Sequence, residues 1–171
     1  VVPMGTVQAA ARLTHWVCEN AKSARAYLKR IGDVTPLAAP IRDQQILELP
    51  RPVHKKGDHR PGSFDARPLL AAALEGHDIG LVSEAGMPAV ADPGSSVVAA
   101  AHELGLAVIP LVGPVSPLLA LAASGLNGQQ FAFWGYLPQD TDALIERIRM
   151  LESQALRTGQ TQIFIETPYR N

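Results

Sequence analysis

Short apolar runs with the composition of buried strands alternate with helix-length segments, and glycine stands at many of the junctions. Thr14–Val17, Asp78–Ser83, Leu106–Val112, Phe131–Leu137 and Gln162–Thr167 have strand character. Ala21–Ile31, Asp65–Glu75, Ser95–Leu104, Ser116–Ser124 and Thr141–Leu156 have helical spacing. Gly32, Gly76, Gly105 and Gly125 stop the first four of them. This order predicts an α/β protein with a mainly parallel sheet. Asn20 is placed to cap the helix from Ala21, whose apolar face is Ala21, Ala24, Leu28 and Ile31. A single helix from Thr14 onward is the competing reading there. Residues 33–64 are broken by Pro36, Pro40, Pro50, Pro52 and Pro61, with one short strand around Ile46, Leu47 and Leu49. His54–Arg60 holds no apolar side chain and reads as a mobile surface loop.

A chain of 171 residues with 47% hydrophobic content can bury a core and is not a disordered protein. Fifteen basic residues against sixteen acidic ones give a net charge of −1, without the basic excess of a dedicated nucleic-acid binder. The single cysteine, Cys18, excludes an internal disulfide framework, fits a reducing, cytoplasmic setting and reads as an inert buried thiol. The five histidines read as surface residues, and no metal site is expected. The apolar stretch Leu104–Ala123 is interrupted by glycine and proline, so no membrane span is expected, and no signal peptide is visible. The opening Val1-Val2-Pro3 reads as the tail of a strand, and the chain is expected to be a fragment.

In parallel sheets ligands sit beyond the carboxyl ends of the strands. Here those ends carry loops dense in glycine and proline. The longest is Glu84-Ala85-Gly86-Met87-Pro88-Ala89-Val90-Ala91-Asp92-Pro93-Gly94, well beyond the usual 2–6 residues of such a connection. It leads into Ser95 and Ser96, whose N–H groups at a helix start suit a carboxylate or phosphate. The plain alternative is a long connection with Asp92 near the cap. Gly113-Pro114-Val115-Ser116-Pro117 is either a ligand turn or a turn with an N-cap. Glu166-Thr167-Pro168-Tyr169-Arg170 either contacts a ligand or pairs Glu166 with Arg170. Dinucleotide, P-loop, zinc-protease and nucleophile-elbow motifs are absent.

Four segments in this order, S-E-A-G-M-P-A-V-A-D-P-G, V-G-P-V-S-P-L-L-A-L-A-A-S-G-L, F-W-G-Y-L-P and F-I-E-T-P-Y-R, resemble the tetrapyrrole methylase superfamily. The resemblance covers Ser83–Arg170 and is closest to the branch that methylates a cytidine 2′-hydroxyl of 16S ribosomal RNA. Pro3-Met4-Gly5 is similar to the family's first-strand turn, and Cys18-Glu19-Asn20 falls where that branch has an E-D pair. Glu84 stands for the branch's Asp, Met87 for its Thr and Asn20 for the second acid of the pair, and its H-N-E stretch is missing.

The resemblance implies a two-lobed, non-Rossmann α/β fold. Residues 1–113 would form the N-terminal lobe, and 114–171 the start of a C-terminal α/β lobe that is incomplete here. It implies S-adenosylmethionine as methyl donor, S-adenosylhomocysteine as product, and a cofactor cleft between the lobes. Glu84, Ala85, Gly86, Val90 and Asp92 would line that cleft, with Pro114, Val115 and Ser116 from the second loop and Leu137 and Pro138 beyond the first strand of the second lobe. Glu166 is the favoured general base over Glu84 and Asp92, and Arg170 faces cofactor or substrate. A homodimer and an RNA acceptor follow by resemblance. Lys22, Arg25 and Lys29 share one helix side and, with Arg30, Lys55, Lys56 and Arg60, form either an RNA-facing patch or a solvated face. Two other functions compete: a non-catalytic cofactor-binding module and a nucleotide- or sugar-phosphate-binding α/β enzyme.

Overall fold

The computed structural model describes residues 2–60, 62 and 64–166, with the backbone alone at 54–56. The chain forms two compact units, Val1–Pro114 and Val115–Asn171.

The first unit is built on a parallel sheet of β1 (His15–Cys18), β2 (Gln45–Glu48) and β3 (Ile79–Val82), in the order β2-β1-β3. The registers set His15 against Gln45 and Ile79, and Cys18 against Glu48 and Val82. Successive side chains of a strand point to opposite faces, so β1 feeds two cores. Trp16 packs with Ala10 and Ala11 of α1 (Met4–Arg12) and with Leu28 and Ile31 of α2 (Ala21–Gly32). Val17 packs on the other face with Val53 of α3 (Arg51–Lys56), Leu70, and Val97, Ala100 and Ala101 of α5 (Ser95–Glu103). Full burial of side chains such as Val17 and Leu28 contributes roughly 1.5–3 kcal/mol each. The Trp16 ring is held by its Nε1–H donating to Gln44 Oε1 at 2.9 Å, while Gln44 Nε2 donates to the Ala39 carbonyl at 3.0 Å. Gly80, opposite Trp16 in the register, leaves the space that the ring fills.

The second unit pairs β4 (Phe131–Tyr136) with β5 (Thr161–Ile165) in parallel, with a register irregularity between Phe133 and Tyr136. A crossover helix, α7 (Thr141–Thr158), joins them, and α6 (Ser116–Ser124) precedes β4. Asp140 caps α7 by accepting from Ala143 N at 3.0 Å, and Gly159 ends it in the left-handed region. Asn127 builds the expected turn, its side-chain oxygen accepting from Gln129 N and Gln130 N.

The α/β reading with parallel strands therefore holds, and Asn20 caps α2 by accepting from Lys22 N and Ser23 N. Four local expectations are corrected. Leu106–Val112 is no strand: Pro110 cannot donate to a ladder, β3 pairs only with β1 among the described residues, and Ile109 and Val112 are 77% and 72% exposed. The helix expected over Asp65–Glu75 is a 3₁₀ turn, Arg67–Leu70, running into a short α4 (Ala71–Leu74). Asp65 instead accepts from Arg67 N and pairs with its guanidinium at 2.8 Å. The segment 54–60 is not a free loop, because its first residues are helical and Asp58 is buried. Val2 is not in a strand, Val1 lies outside the described residues, and Pro3 caps α1. Thr167, the end of the last expected strand, also lies outside the described residues.

Candidate functional site

In the first unit the carboxyl ends of β1, β2 and β3 meet the amino terminus of α2. Glu48, the last residue of β2, accepts from Ala21 N at 2.5 Å. Glu19 N donates to the Val82 carbonyl at 3.3 Å, and Glu19 Oε2 accepts from Glu84 N at 3.3 Å. Ser23 Oγ donates to Glu84 Oε2 at 3.0 Å. Free N–H groups at a helix start favour such acceptors, and the dipole adds to the attraction. Burial, followed by the charges of Glu48 and Glu84, pushes the Cys18 thiol up to about 11. The thiol is therefore protonated near neutrality and is no nucleophile.

Loop 84–94 is tightly turned. Ala89 N donates to the Pro93 carbonyl at 3.3 Å, and Val90 N to the Met87 carbonyl at 3.2 Å. Ala89 and Ala91 take positive φ of 66° and 64°, a left-handed conformation costing an alanine roughly 1–2 kcal/mol. Such strain persists only where surrounding contacts over-determine it. Gly94, at φ 137°, has no room for a side chain, since a Cβ would lie 3.0 Å from Ala89 N. Gly86 differs: at φ 76°, its would-be Cβ meets only the Pro114 carbonyl, at 4.0 Å. Burial raises the Asp92 carboxyl above its ordinary range, and the nearby Glu84 charge adds to this against a hydrogen bond from Ser83.

The helix start after this loop is filled from within. Asp58 Oδ2 accepts from Gly94 N at 2.9 Å, Ser96 N at 3.0 Å and Ser96 Oγ at 2.5 Å. Burial works to raise the Asp58 carboxyl, but these three donors outweigh it and hold it below the usual range. Of the N–H groups of Ser95 and Ser96, expected to be open to an anion, that of Ser96 is thus already engaged, as is that of Gly94. The sequence reading missed Asp58 because its partners lie 36 and 38 residues away. One signal was available: the residue before α5 is Gly94, which has no side chain to cap the helix, so an acceptor from elsewhere is needed.

Among the residues singled out from the sequence, Glu84, Ala85, Gly86 and Val90 are exposed on loop 84–94, and Asp92 is half-buried. Pro114 is exposed, Val115 precedes α6 without supplying a side-chain cap, and Ser116 is the first residue of that helix. In the second unit, Leu137 and Glu166 are brought together at the carboxyl end of the β4–β5 pair, where Glu166 Oε1 accepts from Leu137 N at 3.1 Å. Pro138 follows there, half-buried. Lys22, Arg25 and Lys29 lie exposed on α2, opposite Ala24, Leu28 and Ile31. Arg170 lies outside the described residues. No group of three or more metal-ligating side chains occurs among the described residues, and no helix among them is long and apolar enough to cross a membrane.

Comparison with characterised sequences defines the class first: this chain is a relative of ribosomal RNA methyltransferases. Three such relatives are named Ribosomal RNA small subunit methyltransferase I, which bears out the family resemblance read from the sequence. The match to the protein from Mesorhizobium japonicum is 40% identical over 113 residues, covering 66% of this chain and 37% of that protein. With the Escherichia coli O157:H7 protein the identity is 37% over 105 residues, 61% and 35% of the two chains. With the Pseudomonas aeruginosa protein it is 36% over 152 residues, 89% and 46%. The chain spans between about a third and a half of the length of these relatives. No family model matches it.

Proposed function

We propose that this chain is part of an S-adenosylmethionine-dependent methyltransferase acting on a ribose hydroxyl of small-subunit ribosomal RNA. The observation that carries this reading is the 36–40% identity to methyltransferases named for that RNA. The geometry of loop 84–94 supports a ligand there. Its strained turn is held in shape, Gly86 leaves open space, and the exposed Glu84 and half-buried Asp92 offer acceptors for sugar hydroxyls. Glu84, Ala85, Gly86, Val90 and Asp92, with Pro114, Val115 and Ser116, would hold the cofactor. Leu137 and Pro138 would border it in a second lobe. The two-lobed arrangement, the homodimer and the cytoplasmic setting belong to the same proposal.

The bound cofactor supplies an electrophilic methyl group on a sulfonium whose leaving group is neutral. The chain's task is to align and desolvate the reactants, which can be worth about 7–11 kcal/mol of barrier. Glu166 is proposed to take the acceptor hydroxyl's proton, a contribution of about 10²–10⁴-fold. Its hydrogen bond to Leu137 N keeps one carboxylate oxygen oriented. Lys22 and Arg25 are proposed to meet RNA phosphates, as is Arg170.

Thermal unfolding of the full-length protein with S-adenosylhomocysteine tests the reading. Ligand at 100 times its dissociation constant adds about 2.7 kcal/mol. At this chain size the midpoint rises by roughly 5–11 °C. No rise, or an equal rise with adenosine diphosphate, overturns it.

A further inference from the structure

We propose that Asp58 is the positioning residue of loop 84–94: it fills the amino terminus of α5 from inside the molecule and thereby fits the loop to a ligand without phosphate. The inference deepens the cofactor reading and rests on it. Three observations carry it. First, Asp58 and Ser96 are only 4% and 8% exposed, so their contact is shielded from water. Second, one carboxylate oxygen gathers Gly94 N, Ser96 N and Ser96 Oγ, the donors that an incoming phosphate would seek. A phosphate would meet a full negative charge there instead. Third, Gly94 is the hinge between loop and helix. At φ 137° a Cβ on it would lie 3.0 Å from Ala89 N, so the backbone packs closely there, and the bond from Gly94 N to Asp58 ties down the carboxyl end of the loop. Asp58 itself touches no ligand in this account. It acts through Gly94 and Ser96 on the backbone that does. S-adenosylmethionine carries a sulfonium and an amino-acid group and no phosphate, so a loop closed to phosphate still accepts it.

The test compares full-length wild type with Asp58→Asn and Asp58→Ala, reading amide hydrogen exchange over 84–97 and S-adenosylhomocysteine binding by calorimetry. Hydrogen bonds to a charged group are the stronger kind, so in Asp58→Ala exchange over the loop rises and affinity falls, each on the order of tenfold or more. Asp58→Asn, which keeps the size and one carbonyl, falls between. Formate restores the protection in Asp58→Ala and leaves wild type unchanged, and inorganic phosphate protects the alanine variant alone. A folded Asp58→Ala protein with wild-type exchange and affinity overturns the proposal. So does phosphate protecting wild type as well as the variant. If Asp58→Ala does not fold, the asparagine variant decides on the same readouts. Wild type that binds no S-adenosylhomocysteine sinks the cofactor reading instead, and the exchange data then judge the hold of Asp58 on the loop.

Discussion

Replacing Gly80 by alanine tests how the central sheet is packed. The added Cβ would lie 2.3 Å and 2.4 Å from two carbons of the Trp16 ring and 3.0 Å from Leu13 Cδ1. Carbon atoms settle about 3.5–4.0 Å apart, so the ring must retreat by more than about 1 Å. It has little freedom to do so. Trp16 is 3% exposed, its Nε1–H is engaged by Gln44, and Gln44 is tied to the Ala39 carbonyl. Overpacking of this kind costs about 1–3 kcal/mol. Displacing the ring also weakens the Trp16–Gln44 bond, about 0.5–1.5 kcal/mol more. The expected loss is about 2–4 kcal/mol, or roughly 1–2 M in the urea midpoint with the slope unchanged. Trp16→Leu is costly alone because it opens a cavity. In the double variant the new methyl enters that cavity, so the combined loss falls short of the sum by about 1 kcal/mol or more. A Gly80→Ala protein within about 0.5 kcal/mol of wild type, or strict additivity in the cycle, refutes the packing argument.

Gly86→Val separates ligand exclusion from misfolding. The chain leaves open space at this position, so the folding cost is the positive φ alone, about 1–2 kcal/mol, while binding of S-adenosylhomocysteine is lost. Unchanged affinity in the variant would remove Gly86 from the cofactor site. The pH dependence of stability separates the two aspartates. The Asp58 carboxyl is held below its usual range, so its stabilising contribution is complete above about pH 4 and is lost as the pH falls through its folded value. Asp92 has the opposite sign: its carboxyl is raised, so its ionisation costs stability as the pH climbs past about 4. Urea titrations from pH 2 to 7 should therefore show a shallower acid loss in Asp58→Asn and a gain near neutrality in Asp92→Asn. The reverse pattern would mean that the carboxylates sit in other environments.

What the sequence made legible was what is local. The strand at β1, the cap at Asn20, the glycine stops and the crossover helix α7 each follow from spacing within about twenty residues. Leu106–Val112 misled because β-branched content reports a preference for extended backbone but cannot supply a strand to pair with. Residues 54–60 misled for the opposite reason. A charged run carries no period, yet its one aspartate, Asp58, is drawn inside by donors from a helix start far along the chain. The loop motifs were legible as a family likeness, but not the contacts among them. Glu19, Ser23 and Glu84 converge only because β1 and β3 are parallel neighbours.

These contacts also bear on the choice between a nucleotide and a sulfonium ligand. Glu19, Glu48 and Glu84 collect at one sheet edge, and the backbone donors at the start of α2 are taken up by Asn20 and Glu48. The donors at the start of α5 are taken up by Asp58. The starts of α2 and α5 are therefore met by the chain's own acceptors. An anionic ligand would have to displace them or approach against like charge, whereas a cationic sulfonium is attracted. Lys22, Arg25 and Lys29 lie exposed on α2, opposite its buried face. On the proposed reading, three carboxylates at the carboxyl ends of the strands suit a small cationic donor better than a phosphate ligand.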